Sequence, residues 1–233
     1  GVAYVITGPG LCNIMTPLGQ AYSDSVPVLA IASCLDETEA TRGQLHQMLD
    51  QRAAADCVCD WSHEARSSEA AYGLIDRALT EFEMGRPRSK HLQVPIALLE
   101  GDAPPAPERR ARKGAMSRPD PEQIKSIADR LRTSSAPLLV LGGGLARYGQ
   151  AGEAASRSLV QRTGATAFLS YAGCGLLPSD EPLNYGSYLA RPDSAAIIAR
   201  ADLVVVIGSE LSECDLWRTD LGQTCPMIRG DID

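Results

Sequence analysis

The sequence contains no uninterrupted apolar run of about 18 residues, so no membrane-spanning helix is expected. No basic stretch precedes the first apolar run, which removes the secretory-signal pattern. Positive charge is in deficit: 22 Lys and Arg stand against 29 Asp and Glu, a formal net charge of -7. That balance speaks against nucleic acid or an anionic membrane as a partner. No Cys-x-x-Cys pair occurs, and the seven cysteines are odd in number and irregular in spacing, so neither a zinc site nor a disulfide framework is indicated. Cys57 and Cys59 form a Cys-x-Cys pair that, on a strand, would point to one side. Reduced, mostly buried thiols in a cytoplasmic protein are the expectation.

What is present is an α/β pattern. At 233 residues the chain is one large or two small domains. That length buries roughly 70% of the unfolded surface without help from metals or disulfides. An apolar run, Val2 to Ile6, reads as a buried strand and leads into Gly8-Pro9-Gly10-Leu11-Cys12-Asn13. Leu11, Ile14, Met15, Leu18, Ala21 and Tyr22 follow at helical spacing, and Val28 to Ala32 reads as a second buried strand. Residues 33–56 are polar and without period, the kind of long irregular segment that is usually functional or mobile. Ser67 to Met84 carries a helical stripe, and His91 to Ile96 alternates like a half-buried strand. Prolines 104, 105, 107, 119 and 121 mark residues 101–120 as a linker. Its basic cluster, Arg109, Arg110, Arg112 and Lys113, reads as solvated linker charge rather than a nucleic-acid patch.

Residues 121–233 repeat the alternation. Helices are expected from Pro121, over 150–162 and over 194–199, with strands at 138–141, 165–170 and 203–207. Continuous apolar strands between helices mean parallel sheets covered on both faces, an α/β fold. Gly142-Gly143-Gly144 follows a strand, as in a dinucleotide-binding turn, but Arg147 stands where a third glycine belongs and no acidic ribose ligand is evident.

The stretch Thr7-Gly8-Pro9-Gly10-x-x-Asn13, with Ala21-Tyr22-x-Asp24-Ser25-x-Pro27, resembles the pyrimidine-binding domain of thiamine-diphosphate enzymes of the acetolactate synthase and 2-oxo acid decarboxylase superfamily. The resemblance implies that Gly8, Pro9, Gly10 and Asn13 bind cofactor, with Pro9 and Asn13 near the thiazolium, and that Asp24, Ser25 and Pro27 shape the return to the next strand. Gly85-Arg86-Pro87 with His91 and Pro95 is similar to the end of the same domain, although the turn after Pro87 departs from the family pattern. Where acetolactate synthases carry Phe-Gln-Glu, this chain has Leu45-His46-Gln47. The departure points to the decarboxylase branch, including enzymes like 5-guanidino-2-oxopentanoate decarboxylase, with His46 as catalytic residue.

The resemblance divides the chain into part of the pyrimidine domain (1–100), a linker (101–120) and a Rossmann-like central domain (121–233). It implies decarboxylation of a small 2-oxo acid through a C2 carbanion and enamine, in a homodimer or homotetramer. The alternatives are an acetolactate synthase-type carboligase and a non-catalytic nucleotide-binding module. Two expected parts are missing: the family's catalytic glutamate lies upstream of the glycine turn, and no Gly-Asp-Gly metal motif occurs. Thiamine diphosphate and Mg²⁺ are therefore cofactors of the full-length enzyme, no metal ligand is assigned here, and the chain reads as an inactive fragment. Some relatives hold FAD in the central groove. Glu210 and Glu213 stand where flavin binders carry arginine and aspartate, so the groove is read as vestigial, without FAD.

Overall fold

The computed structural model describes residues 1–36, 43–108 and 118–232. The chain divides into two compact units, Gly1–Ser117 and Arg118–Asp233. Each is a four-stranded, wholly parallel sheet flanked by helices, the α/β architecture expected. The basic cluster at Arg109, Arg110, Arg112 and Lys113 lies outside the described residues, as does Asp233.

In the first unit the elements run β1 (Val2–Val5), α1 (Pro9–Ser23), β2 (Leu29–Cys34), α2 (Gln51–Asp56), β3 (Ser62–Glu64), α3 (Ser68–Met84), β4 (Lys90–Pro95) and α4 (Ile96–Glu100). The sheet order is β1-β2-β4-β3. β2 is central and almost wholly buried, which is why its sequence is apolar without alternation. β1 departs from the buried run expected. It is an edge strand, and Val2, Tyr4 and Ile6 are largely exposed on its uncovered face. β4 also departs, from half-buried alternation: as a central strand it buries Lys90, His91, Leu92, Gln93 and Val94 alike.

The buried Lys90 survives there because two carboxylates meet it, Asp60 at 2.6 Å and Glu81 at 2.7 Å. Glu81 also accepts from Trp61 Nε1 at 2.9 Å and Arg77 Nε at 2.7 Å. α2 and β3 were not expected from the sequence. Asp50 caps α2 by accepting from the Ala53 amide, and Trp61 buries its ring in the core at the start of β3. Cys57 and Cys59 lie in the turn between them, not on a strand: Cys57 is exposed and Cys59 buried. Burial pushes the Cys59 thiol up to about 11, and the Ser89 hydrogen bond only partly offsets it. None of the seven cysteines is in a disulfide, but Cys12, Cys57, Cys174 and Cys214 are exposed, so mostly buried thiols is corrected.

The second unit runs α5 (Pro121–Thr133), β5 (Pro137–Leu141), α6 (Gly143–Ala146), α7 (Gln150–Thr163), β6 (Thr166–Leu169), α8 (Ser194–Ile198), β7 (Leu203–Ile207), α9 (Glu213–Leu216) and β8 (Met227–Gly230), with sheet order β6-β5-β7-β8. Asp120 caps α5 at the Glu122 amide, and Pro121 fills its first turn. α7 ends at Gly164 in the left-handed region, φ 64°. The core lies on both faces of β5 and β7, with Leu139, Leu141 and Val205 on one side and Leu138, Val140, Val204 and Val206 on the other.

Candidate active site

The first unit's site forms at the C-terminal edge of its sheet, where open α/β sheets gather ligands. Gly8 turns the chain from β1 into α1 at φ 64° and ψ -109°, a conformation open to glycine and strained for other residues. Its missing side chain has a second reason: a Cβ there would lie 2.1 Å from the His46 carbonyl oxygen. Pro9 occupies the first position of α1, and Asn13 follows four residues on, so the two share a helix face. Both are exposed. A Cβ on Gly10 would meet Ile6 Cγ2 at 2.8 Å, so Gly10 serves close packing of α1 on β1.

His46 sits in a turn that Gln47 closes. Gln47 Oε1 accepts from the Gly43 amide at 2.7 Å and the Gln44 amide at 3.2 Å. His46 itself has φ 65°, a left-handed conformation costing roughly 1–2 kcal/mol for a residue with a Cβ. Its Nδ1 is shielded from solvent and has no hydrogen-bond partner among the described residues. His46 is thus packed by its backbone against the Gly8 turn, with a ring nitrogen left for a ligand.

Behind the turn lies a network that the sequence reading missed. Thr7 Oγ1 and the Gly8 amide each donate to Gln51 Oε1 at 2.8 Å. Gln51 Nε2 donates to the Ser33 carbonyl at 2.8 Å and to Gln93 Oε1 at 3.4 Å. Gln93 Nε2 donates to Glu64 Oε2 at 2.7 Å, and the Thr7 amide donates to Ser33 Oγ at 2.9 Å. Thr7, Gln51 and Gln93 are buried. The available signal was Gln93, an amide between Leu92 and Val94 in a strand, since a buried polar residue there needs a partner. Glu64 and Gln93 also line an open cleft of about 520 Å³ with Asp50, Arg52, His63, Arg66 and Leu74.

In the second unit the glycine turn is closed. A Cβ on Gly142 would lie 2.1 Å from the Gly208 carbonyl oxygen, and one on Gly144 2.8 Å from Gly208 Cα. The Gly142 amide donates to the Ile207 carbonyl at 2.8 Å and the Gly144 amide to the Gly208 carbonyl at 2.9 Å. These donors, which in a dinucleotide-binding turn would face phosphate, meet backbone instead.

The fold is that of the thiamine-diphosphate-dependent enzymes. Over 99% of this chain it superposes on 43% of an X-ray structure of a candidate thiamin diphosphate-dependent enzyme from Mycobacterium smegmatis, with a TM-score of 0.73 at 22% identity. Residues 1–54 match the thiamine pyrophosphate enzyme N-terminal TPP binding domain, and residues 124–233 match the thiamine pyrophosphate enzyme central domain. The chain belongs to the thiamine pyrophosphate enzyme family. It is 40% identical over its whole length to the "Probable 2-ketoarginine decarboxylase AruI" of Pseudomonas aeruginosa, covering 42% of that protein. It is 27% identical to the acetolactate synthase of Mycobacterium bovis, covering 38% of it. The chain therefore spans about two fifths of the length of these curated relatives.

The residues present fit the organic part of the cofactor: Pro9 and Asn13 are exposed on one face of α1, and the His46 Nδ1 beside the turn is unpartnered. Among the described residues no group of three or more His, Cys, Asp or Glu could hold a metal ion. No helix of the described residues is long and apolar enough to cross a membrane.

Proposed function

We propose that this chain forms the cofactor-facing pyrimidine part (1–100) and the central domain (121–233) of a thiamine-diphosphate-dependent 2-oxo acid decarboxylase. The observation that carries the reading is the 40% identity over the whole chain to the relative named as a 2-ketoarginine decarboxylase, against 27% to an acetolactate synthase. The substrate class is a small 2-oxo acid, and one with a guanidino side chain is the first to test.

Pro9 and Asn13, on a turn shaped by Gly8 and Gly10, would hold the cofactor. When bound, thiamine diphosphate supplies the electron sink for the pair left behind by the departing carboxylate. His46 is assigned the proton step. Its Nδ1 is shielded and unpartnered, and an imidazole can give and take a proton where a glutamine amide only hydrogen-bonds. A decarboxylase must put a proton on the product carbon before the aldehyde leaves, and a carboligase must not. Mg²⁺ belongs, on this reading, to the diphosphate-binding part of the full-length enzyme.

Three further assignments have narrower support. The exposed apolar residues of β1, with Tyr22 and Val26, support burial against another domain or subunit, in keeping with a homodimer or homotetramer. Free cysteines support a reducing, cytoplasmic setting. The backbone-filled Gly142 turn speaks against FAD and against a nucleotide-binding module.

The test is product analysis with the full-length enzyme, thiamine diphosphate and Mg²⁺. 5-Guanidino-2-oxopentanoate should yield CO₂ and the aldehyde one carbon shorter. Acetohydroxy acid from pyruvate as the main product would instead establish the carboligase. A tightly held nucleotide without turnover of any 2-oxo acid would establish the binding module.

A further inference from the structure

The uncharged amide of Gln51 is the junction of the site's buried network, and nothing in the chemistry proposed above uses it. It is 8% exposed, and both ends of its amide are occupied. Oε1 receives the Thr7 hydroxyl and the Gly8 amide, the two groups that immediately precede Pro9. Nε2 reaches the end of β2 through the Ser33 carbonyl and β4 through Gln93. Gln93 Nε2 then donates to the Glu64 carboxylate at the end of β3. One side-chain chain thus crosses the whole sheet edge from β1 to β3, three strand spacings or about 14 Å. Every donor in it points the same way, from the glycine turn toward the carboxylate, and such a run of hydrogen bonds is mutually polarising.

The glycine turn needs this support. Gly8 has a conformation that its own backbone does not enforce, and its amide would otherwise be a buried donor without a partner. No helix-capping side chain serves α1 at its start. Gln51 satisfies the amide, and so sets where Pro9 begins the helix that carries Asn13.

We infer that Gln51 is a positioning residue: its side chain pins the Gly8 turn and thereby fixes the placement of Pro9 and Asn13 toward the cofactor. The inference rests on the reading of this turn as the cofactor-facing element. Gln51 acts through the turn and through Gln93 and Glu64, and it transfers no proton itself.

The chemistry of the amide supplies a specific test. Gln51→Leu removes both ends. Gln51→Glu keeps the acceptor for Thr7 and Gly8, but an ionised carboxylate cannot donate to the Ser33 carbonyl or to Gln93. Protonated, the same carboxyl restores part of the amide's pattern, with its C=O accepting and its single O–H donating to the Ser33 carbonyl or to Gln93. Burial favours that protonated form. In the full-length enzyme, saturated with thiamine diphosphate and substrate, Gln51→Leu should lower kcat per folded molecule by at least about tenfold, since misplacing a reacting group by about 1 Å costs up to roughly 10². Gln51→Glu should match that loss at pH 8 and recover toward wild type at pH 6. A residue that only filled space would not give the glutamate variant a pH profile of its own. Wild-type kcat at pH 8 in both variants, or a Gln51→Glu profile parallel to wild type, overturns the inference. If Gln51→Leu does not fold, the glutamate profile alone decides. If the wild-type enzyme turns over no 2-oxo acid, the decarboxylase reading fails by itself. The dissociation constant of thiamine diphosphate then reads Gln51: a tenfold weakening in Gln51→Leu supports positioning, and unchanged affinity overturns it.

Discussion

The two units answer the same problem, a chain leaving a parallel strand through a glycine turn into a helix, in opposite ways. At Gly8 the turn's amide goes to a side chain, Gln51, and the helix it opens presents Pro9 and Asn13 outward. At Gly142 and Gly144 the amides go to the backbone of β7 and its turn, and the space freed by the missing side chains is filled by Gly208. The central strands differ in the same sense. β4 buries a lysine, a histidine and a glutamine, whereas β5 and β7 are apolar throughout. A glycine-rich turn after a strand is therefore ambiguous until one knows what accepts its amides. Polar side chains under the turn, each with a partner, distinguish a working edge from one closed by packing.

The sharpest way to test this contrast is at His46, where the larger effect is expected on the open turn. His46→Gln in the full-length enzyme should slow aldehyde release by roughly 10²–10⁴ while leaving cofactor affinity nearly intact, the span a positioned acid–base group contributes. Single-turnover measurement from pH 5 to 8 reads it directly. A variant that decarboxylates at the wild-type rate over that range makes His46 structural, and the distinction between the two turns then loses its chemical meaning.

The next effect reverses the direction, with stability falling and activity surviving. Gly142→Ala would drive a Cβ to 2.1 Å from the Gly208 carbonyl oxygen and 2.6 Å from Ser209 Cβ. Backbone cannot step aside as a flexible side chain does, so a loss of about 3 kcal/mol is expected. Gly8→Ala meets the His46 carbonyl at the same 2.1 Å distance, and its cost should appear in activity per folded molecule as well as in melting. Thermal melts paired with rates normalised to folded protein separate the two. Equal activity losses in both variants would break the comparison.

Legibility in the sequence followed the same divide. β7 is readable to the residue, because Leu203–Ile207 is an unbroken apolar run between polar flanks. α3 and α7 are readable to within a residue from their stripes and caps, Ser67 before one and Gly164 after the other. β3 is not, since Ser62–Glu64 is too short and too polar to show a period. Val2 to Ile6 looks like any doubly covered strand, and nothing local reveals that one face of an edge strand has no cover. At the site, the glycine turn and His46 stand out by motif and register. Gln51 does not, because its role comes from Thr7, Ser33 and Gln93, which only the folded sheet brings to it.

The smallest effect concerns mild acid, and between pH 7.5 and 5.5 it should fall on the first unit alone. His91 is fully buried in β4, with Ser62 Oγ 2.7 Å from Nδ1 and Nε2 without a partner among the described residues. Burial pushes its pKa down from 6.5 to about 4. The sign follows from proton binding. Below pH 6.5 the unfolded chain takes up a proton that the native ring refuses, so stability is full above 6.5 and is lost as pH falls toward 4. The loss amounts to about 1 kcal/mol at pH 5.5. Glu81 acts later. Burial alone would raise it, but hydrogen bonds from Lys90, Trp61 and Arg77 hold it at about 2, below the ordinary 4.5, so its contribution persists above 4.5 and fades only toward pH 2. β5 and β7 hold no buried imidazole, and Asp202 beside β7, held below its ordinary 3.8 by hydrogen bonds from Ser134, Ser135 and Ala136, responds like Glu81 only at lower pH than the window tested. Hydrogen exchange at pH 7.5 and 5.5, corrected for intrinsic rates, should therefore show β2 and β4 losing protection while β5 and β7 keep theirs. His91→Leu should flatten the response of the first unit even though it weakens the fold by orphaning Ser62. Equal loss in both sheets, or a slope unchanged by His91→Leu, would show that the buried imidazole does not govern the acid response.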